Sequence, residues 1–173
     1  VEFYDPFYTE PSERSIAIAH HTIDEGASIV IQHHPHVLQG LEIYNGKLIA
    51  HSLGNFVFDQ NFPETWPSII LNTEYNEAGF FGYKIVPVYL HYYLPQMASG
   101  NLAHYILDYM AMKSRKLSTF IKVDRENHVG EIVFDVPYFS YATDVAVNLN
   151  PDTNNQFISD PVKLNKLHHF VNL

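Results

Sequence analysis

The stretch "LEIYNGKLIAHS", Leu41 to Ser52, sets two apolar runs on either side of Asn45-Gly46. Both turn residues tolerate positive φ, so a two-residue connection of this kind joins antiparallel strands and fixes which residues pair across them. Any fold of this chain must therefore hold a hairpin here. Upstream, Thr9 reads as the N-cap of a helix, with Pro11 near its first turn, Glu13 near the third position, and Ile16, Ala19, His20 and Ile23 along one face. Gly26 ends that helix, and the β-branched run from Ser28 to Gln32 reads as a short buried strand.

Downstream, "SLGNFVFDQNF" reads as a passage from strand to loop. Ser68 to Tyr75 and Phe80 to Leu94 read as a longer antiparallel pair around "NEAG", with Pro87 pointing to an edge or a bulge in the second strand. A helix is expected from Gly100 to Lys113, with Leu102, Ile106, Tyr109 and Met110 along its core stripe. "FIKVDRENHVGEIVF" reads as another hairpin. The Asn-, Asp- and Pro-rich tail from Val145 reads as loop, with a short helix near Pro161 to His169 and a surface pair at His168 and His169. The order helix, strand and then several hairpins describes an α/β chain that forms the later part of a mixed sheet.

A chain of 173 residues is enough for one domain, and 46% hydrophobic with 17% charged residues describes a globular one. Its formal net charge of -9, from 19 acidic and 10 basic side chains with no Lys/Arg block, argues against a nucleic-acid partner. The lack of cysteine excludes disulfides, thiolate zinc sites and cysteine nucleophiles together. No apolar run reaches the roughly 18 to 20 residues needed to cross a bilayer, and "VEFYDPFYTE" lacks the layout of a signal peptide. Any export signal or anchor is expected outside this sequence.

Chemistry concentrates in "QHHPHVLQG", Gln32 to Gly40, where the expected strand finishes. In extended backbone His34 and His36 leave on the same side, His33 on the other, and Pro35 pushes His34 toward the extended region. Neutral imidazole is a common ligand for zinc, manganese or iron, and each ligating ring needs an acceptor for its other N–H. Two histidines do not complete a site, since a catalytic zinc wants three protein ligands and a two-metal centre wants more. From spacing alone the run is either a polar loop or a pair of ligands. A serine triad of Ser52, His51 and Asp59 lacks the G-x-S-x-G elbow, and "GASIVIQ" lacks the pattern of a phosphate loop.

Residues 16 to 58, through "IDEGAS", "QHHPHVLQ" and "HSLGNF", resemble the C-terminal half of the CapA family of poly-γ-glutamate capsule synthesis proteins, which have a metallophosphatase-like fold. The resemblance implies that residues 1–173 are a single, N-terminally incomplete domain, the C-terminal part of a four-layer αββα sandwich. It makes His34 and His36 ligands of two adjacent divalent ions (manganese, iron or zinc) in the complete domain, gives His33 a proton-moving role, and makes Asn55 and Ser52 contacts to ligands or substrate. Three residues depart from the family's pattern: Gln32 replaces a glycine, Ser28 an aspartate and His51 a tyrosine. Glu2 matches an acidic residue of a motif that otherwise precedes the chain. The resemblance further implies an extracytoplasmic protein of the cell envelope that acts on an anionic polymer or a small phosphoester or amide, with membrane association left to a segment before Val1. The missing half, or a second copy of the chain, would complete the fold. The alternative is a polymer-binding or export scaffold whose metal site is vestigial.

Overall fold

A computed structural model describes residues 8–134. Helix α1 spans Glu13–Asp24, and its N-cap is Ser12, whose hydroxyl accepts from the Ser15 amide at 3.1 Å. Thr9, the expected cap, lies outside the helix and accepts a hydrogen bond from Lys113 Nζ at 2.9 Å. Pro11 thus precedes the cap, where its missing N–H leaves no helical hydrogen bond unmade. Of the face expected to be buried, Ala19 and Ile23 are, and they join Ile49 in a small core packed by Ala27, Val30 and Tyr44.

Past Gly26 (φ 111) the chain forms β1 (Ile29–Ile31), then β2 (Leu41–Tyr44) and β3 (Lys47–Ala50), in the order β1-β3-β2. β1 runs parallel to β3, and β2 antiparallel to it. The Asn45-Gly46 turn is as expected, with φ of 49 and 73. β1 is not the buried strand the β-branched run suggested: it borders only β3 among the described strands, and Ile31 is 43% exposed.

The second sheet contains β4 (Pro67–Asn76), β5 (Gly79–His91), β6 (Leu94–Met97), β7 (Phe120–Asp124) and β8 (Val129–Val133), ordered β4-β5-β8-β7 with β6 also on β5. β5 is therefore interior, contrary to the edge suggested by Pro87. The proline is tolerated because β8 pairs β5 only at Lys84 and Ile85, while β6 pairs it from Val88 onward. The Pro87 carbonyl faces that side and accepts from Ala98 N at 3.0 Å, so the absent N–H falls between two partner strands. The register slip lies instead between Asn72 and Glu74, opposite Gly82 with φ 61.

Helix α2 (Gly100–Arg115) packs on β7 and β5 and reaches β2. Ile106 and Met110 are buried as expected, but Ala103 and Leu107 share the core face while Leu102 and Tyr109 are half-buried. The C-terminal end of α2 seals the free edge of β2. Ser114 Oγ accepts from Leu41 N at 2.9 Å, and Thr119 Oγ1 from Ile43 N at 2.7 Å. Two backbone donors that would otherwise invite another strand are thereby satisfied by side chains. Buried Lys113 anchors the same end by donating to Glu10 Oε1 at 2.7 Å as well as to Thr9.

Among the described residues, two α-helices and two sheets make a mixed α/β architecture, as expected. The short helix and histidine pair expected in the tail, and Glu2, lie outside the described residues, and the single-domain reading of residues 1–173 extends beyond them.

The sealed edge explains a small residue at Gly40, where an added Cβ would lie 2.9 Å from the Lys113 carbonyl oxygen and 2.7 Å from Leu117 Cδ1. Since backbone cannot retreat as a side chain can, Gly40→Ala is expected to lower stability by about 1–3 kcal/mol. Urea unfolding should show this as a lower midpoint with an unchanged slope.

Candidate functional site

The parallel pairing of β1 with β3 continues one residue past β1, where Gln32 N donates to Ala50 O at 2.8 Å. Beyond it both segments leave the sheet side by side, one carrying His33, His34 and His36, the other His51, Ser52 and Asn55.

His34, His36 and Asn55 are brought together. The two imidazole centroids are 5.8 Å apart at 50°, and His36 Nδ1 lies 2.9 Å from Asn55 Oδ1. Asn55 is buried, and its Nδ2 donates to Gln60 Oε1 at 3.2 Å. With the amide nitrogen on Gln60, the Asn55 oxygen is placed to accept from His36 Nδ1–H, the tautomer that leaves the Nε2 lone pair for a ligand. The Phe58 ring stacks obliquely on His36 at 4.8 Å. An acceptor on one nitrogen and an apolar wall beside the ring fix how this imidazole is oriented.

The rings are neighbours for a different reason from the one the sequence suggested. His34 and His36 both have positive φ, 104 and 61, so the backbone is not extended through Pro35. Val37 and Leu38 are buried immediately afterwards, and the chain must bend sharply to carry them from an exposed histidine run into the core. Two non-glycine residues held this way cost on the order of 1–3 kcal/mol each, strain of the kind found at functional sites.

His33 is exposed. Ser52 is fully buried and accepts from Gly54 N at 3.3 Å, shaping the turn that delivers Asn55. Gly54 (φ 77) passes 2.9 Å, measured from an added Cβ, from the Pro67 carbonyl, so its role is in the backbone. Among the described residues no three of His, Cys, Asp or Glu gather to hold a metal ion. The residues present fit a metal only as two of the three or more donors required.

A second polar constellation lies behind the first. Glu42 is clasped by two histidines, His20 Nε2 at 2.6 Å from Oε1 and His51 Nε2 at 2.9 Å from Oε2. His51 Nδ1 lies 3.0 Å from Gln32 Oε1, which also accepts from Ser15 Oγ at 2.8 Å, while Gln32 Nε2 donates to the Ser15 carbonyl at 3.0 Å. Tyr44 stacks on His20 with centroids 3.8 Å apart and donates to Asp24 at 3.2 Å. Gln32 and His51, both departures from the pattern noted in the sequence, are thus partners of each other. The Gln32 side chain is spent on α1 and β3, tying the strand ends that carry the histidine run and Asn55. The hairpin held a signal for this network: the two-residue turn pairs Glu42 with Ile49, and His51 lies two residues farther on the same face.

Comparison with known proteins places the resemblance in the same segment. The family described as "Bacterial capsule synthesis protein PGA_cap" matches residues 3–60. The PGA biosynthesis protein CapA of Bacillus subtilis is 39% identical over 82 residues, 47% of this chain and 22% of that protein. The capsule biosynthesis protein CapA of Bacillus anthracis is 37% identical over 101 residues, 58% of this chain and 24% of that protein. An uncharacterized protein of Sinorhizobium fredii, y4sH, is 46% identical over 50 residues, 29% of this chain and 11% of that protein. The matches thus span about a quarter of the Bacillus proteins, or less.

Burial holds the His51 imidazole below its usual value of 6.5, against the opposing pull of Glu42. Because the unfolded chain then binds the proton more tightly, this stabilisation is complete above pH 6.5 and is lost as the pH falls from there toward the lower folded-state value. The melting temperature is expected to drop between about pH 7 and pH 5. His51→Gln, which removes the titrating group, should flatten that dependence in thermal melts followed by circular dichroism.

Proposed function

We propose a role from the premise that this chain belongs to the CapA family of bacterial capsule synthesis proteins. That role is the synthesis or processing of an anionic capsule polymer of the poly-γ-glutamate type at the cell envelope, with metal-dependent hydrolysis of a phosphoester or amide as its chemistry. In this reading the two sheets and two helices are the later part of a four-layer αββα metallophosphatase-like sandwich. The observation that carries it is the pair of adjacent imidazoles, one of them with Nδ1 2.9 Å from the buried Asn55 Oδ1.

His34 and His36 would hold divalent ions (manganese, iron or zinc), two in the complete domain. Bound there, such ions supply Lewis acidity to the scissile group and neutralise developing negative charge. Asn55 keeps the His36 Nε2 free of a proton, Phe58 excludes water from one side of that ring, and exposed His33 moves protons between bulk water and the site. Ser52 acts through the turn that presents Asn55. The remaining donors come from other polypeptide, either a further segment or a second copy of the chain. With a net charge of -9 the molecule does not draw a polyanion globally, so attraction falls to the bound cations. No helix among the described residues is long and apolar enough to cross a membrane, and any membrane association rests on other segments.

A second reading, a polymer-binding or export scaffold without hydrolysis, draws on the donor count, since two imidazoles alone bind a divalent ion weakly. The two are separated on the full-length protein by metal analysis and hydrolysis of a generic phosphodiester. The enzyme reading expects stoichiometric manganese, iron or zinc, with His34→Ala/His36→Ala losing both the metal and at least about 100-fold in rate. Metal-free protein that still binds poly-γ-glutamate would sink it in favour of the scaffold.

A further inference from the structure

Beside the histidine pair lies a feature of which the proposed chemistry uses only Phe58. The loop after Asn55 and the turn between β5 and β6 enclose a shallow hollow of about 370 Å³ lined by Val57, Phe58, Asp59, Tyr93 and Leu94. Phe58 has one side on His36 and lines the hollow too.

Three properties set this hollow apart from an ordinary loop crevice. Its walls are large apolar groups left in water, with Val57 65% and Leu94 60% exposed. The hairpin wall is strained: Tyr92 and Tyr93, with φ of 46 and 68, fill the two positive-φ positions of a tight turn where asparagine and glycine belong. Two tyrosines kept at that conformational cost, 81% and 46% exposed, point to a purpose outside the fold. Third, Asp59 lines the hollow without a hydrogen bond or ion pair to any described residue.

An apolar occupant would bury the Asp59 carboxylate without a partner, and an anionic one would be repelled by it. A lysine or arginine side chain meets both demands, with a methylene stem for Val57 and Leu94 and a charged head for Asp59 and the faces of Phe58 and Tyr93. The chain's charge of -9 steers basic surfaces toward it and disfavours anionic lipid. Exposed aromatic surface continues along the loop and turn at Phe56 and Tyr92, more than a free amine would cover. We infer that this hollow docks a basic segment of a partner protein, seating one of its cationic side chains against Asp59 next to the candidate site.

The test is an NMR titration with acetyl-Gly-Leu-Lys-Leu-Gly-amide and its norleucine counterpart. The lysine peptide should shift the amides of Phe58, Asp59, Tyr93 and Leu94, and the norleucine peptide should bind at least about fivefold more weakly. Asp59→Asn should weaken lysine-peptide binding by a similar factor, and Glu77→Gln, on the exposed β4–β5 turn, by less than about twofold. Replacing Tyr92-Tyr93 with Asn-Gly should raise the melting temperature by about 4 °C or more while abolishing the shifts, so that the loss cannot be laid to unfolding. Equal weakening by Asp59→Asn and Glu77→Gln would reduce the effect to diffuse charge and overturn the proposal. Butylamine binding as tightly as the peptide would make this a small-amine site instead. Binding to phosphatidylcholine/phosphatidylglycerol vesicles that needs Tyr92 and Tyr93 would make it a membrane contact.

Discussion

The parallel pairing of β1 with β3 is the constraint on which the rest of the site depends. It is short, from Ile29 against Leu48 to Ile31 against Ala50, extended by the Gln32 to Ala50 hydrogen bond. Parallel neighbours leave a sheet in the same direction, so the loops that follow them emerge together, and side chains distant in sequence meet without either loop having to fold back. His36 and Asn55 are 19 residues apart and touch for this reason. The pairing is buttressed from behind: the Gln32 amide and the His51 ring join the two strand ends, and Ser15 fastens Gln32 to α1.

Two sets of histidines in this small region are treated in opposite ways. His51 is sealed in the interior with both nitrogens engaged and a carboxylate alongside, which makes it part of the scaffold. His34 and His36 ride on a strained bend at the surface, with one nitrogen of His36 committed and the other left over. Proximity in sequence says little about which treatment a histidine receives. What separates them is what lies over the chain where it leaves the strands: His51 is covered and finds Gln32 and Glu42, whereas the bend before Val37 stands in water.

Much of the fold was legible because local chemistry decided it. Asn45-Gly46 dictated its hairpin, the "NEAG" turn its longer one, and α2 followed from its apolar stripe to within a turn. Misreadings arose where distant partners decided. Thr9 looked like a cap until Lys113, far along the chain, claimed its hydroxyl. Pro87 looked like an edge marker, yet β5 has three neighbours that happen to leave a gap beside it. The geometry of the histidine run was not legible, because the demand to bury Val37 and Leu38 overrode the extended backbone that proline favours. Glu42 and His51 were within reach of register counting, but the third member, His20, needed the placement of a helix that no periodicity supplies.

The sealed border of β2 carries a consequence for how the polypeptide comes into being. Everything from α1 through β3 is close in sequence, and can gather while synthesis is still under way. The hydroxyls that cover Leu41 and Ile43 belong to Ser114 and Thr119, 73 and 76 residues farther along. At ribosomal speeds of about 5–20 residues per second, the nascent sheet stays uncovered for several seconds. During that interval its bare flank is open to a neighbouring nascent chain or to a chaperone, and Ser114 and Thr119 close it when they arrive.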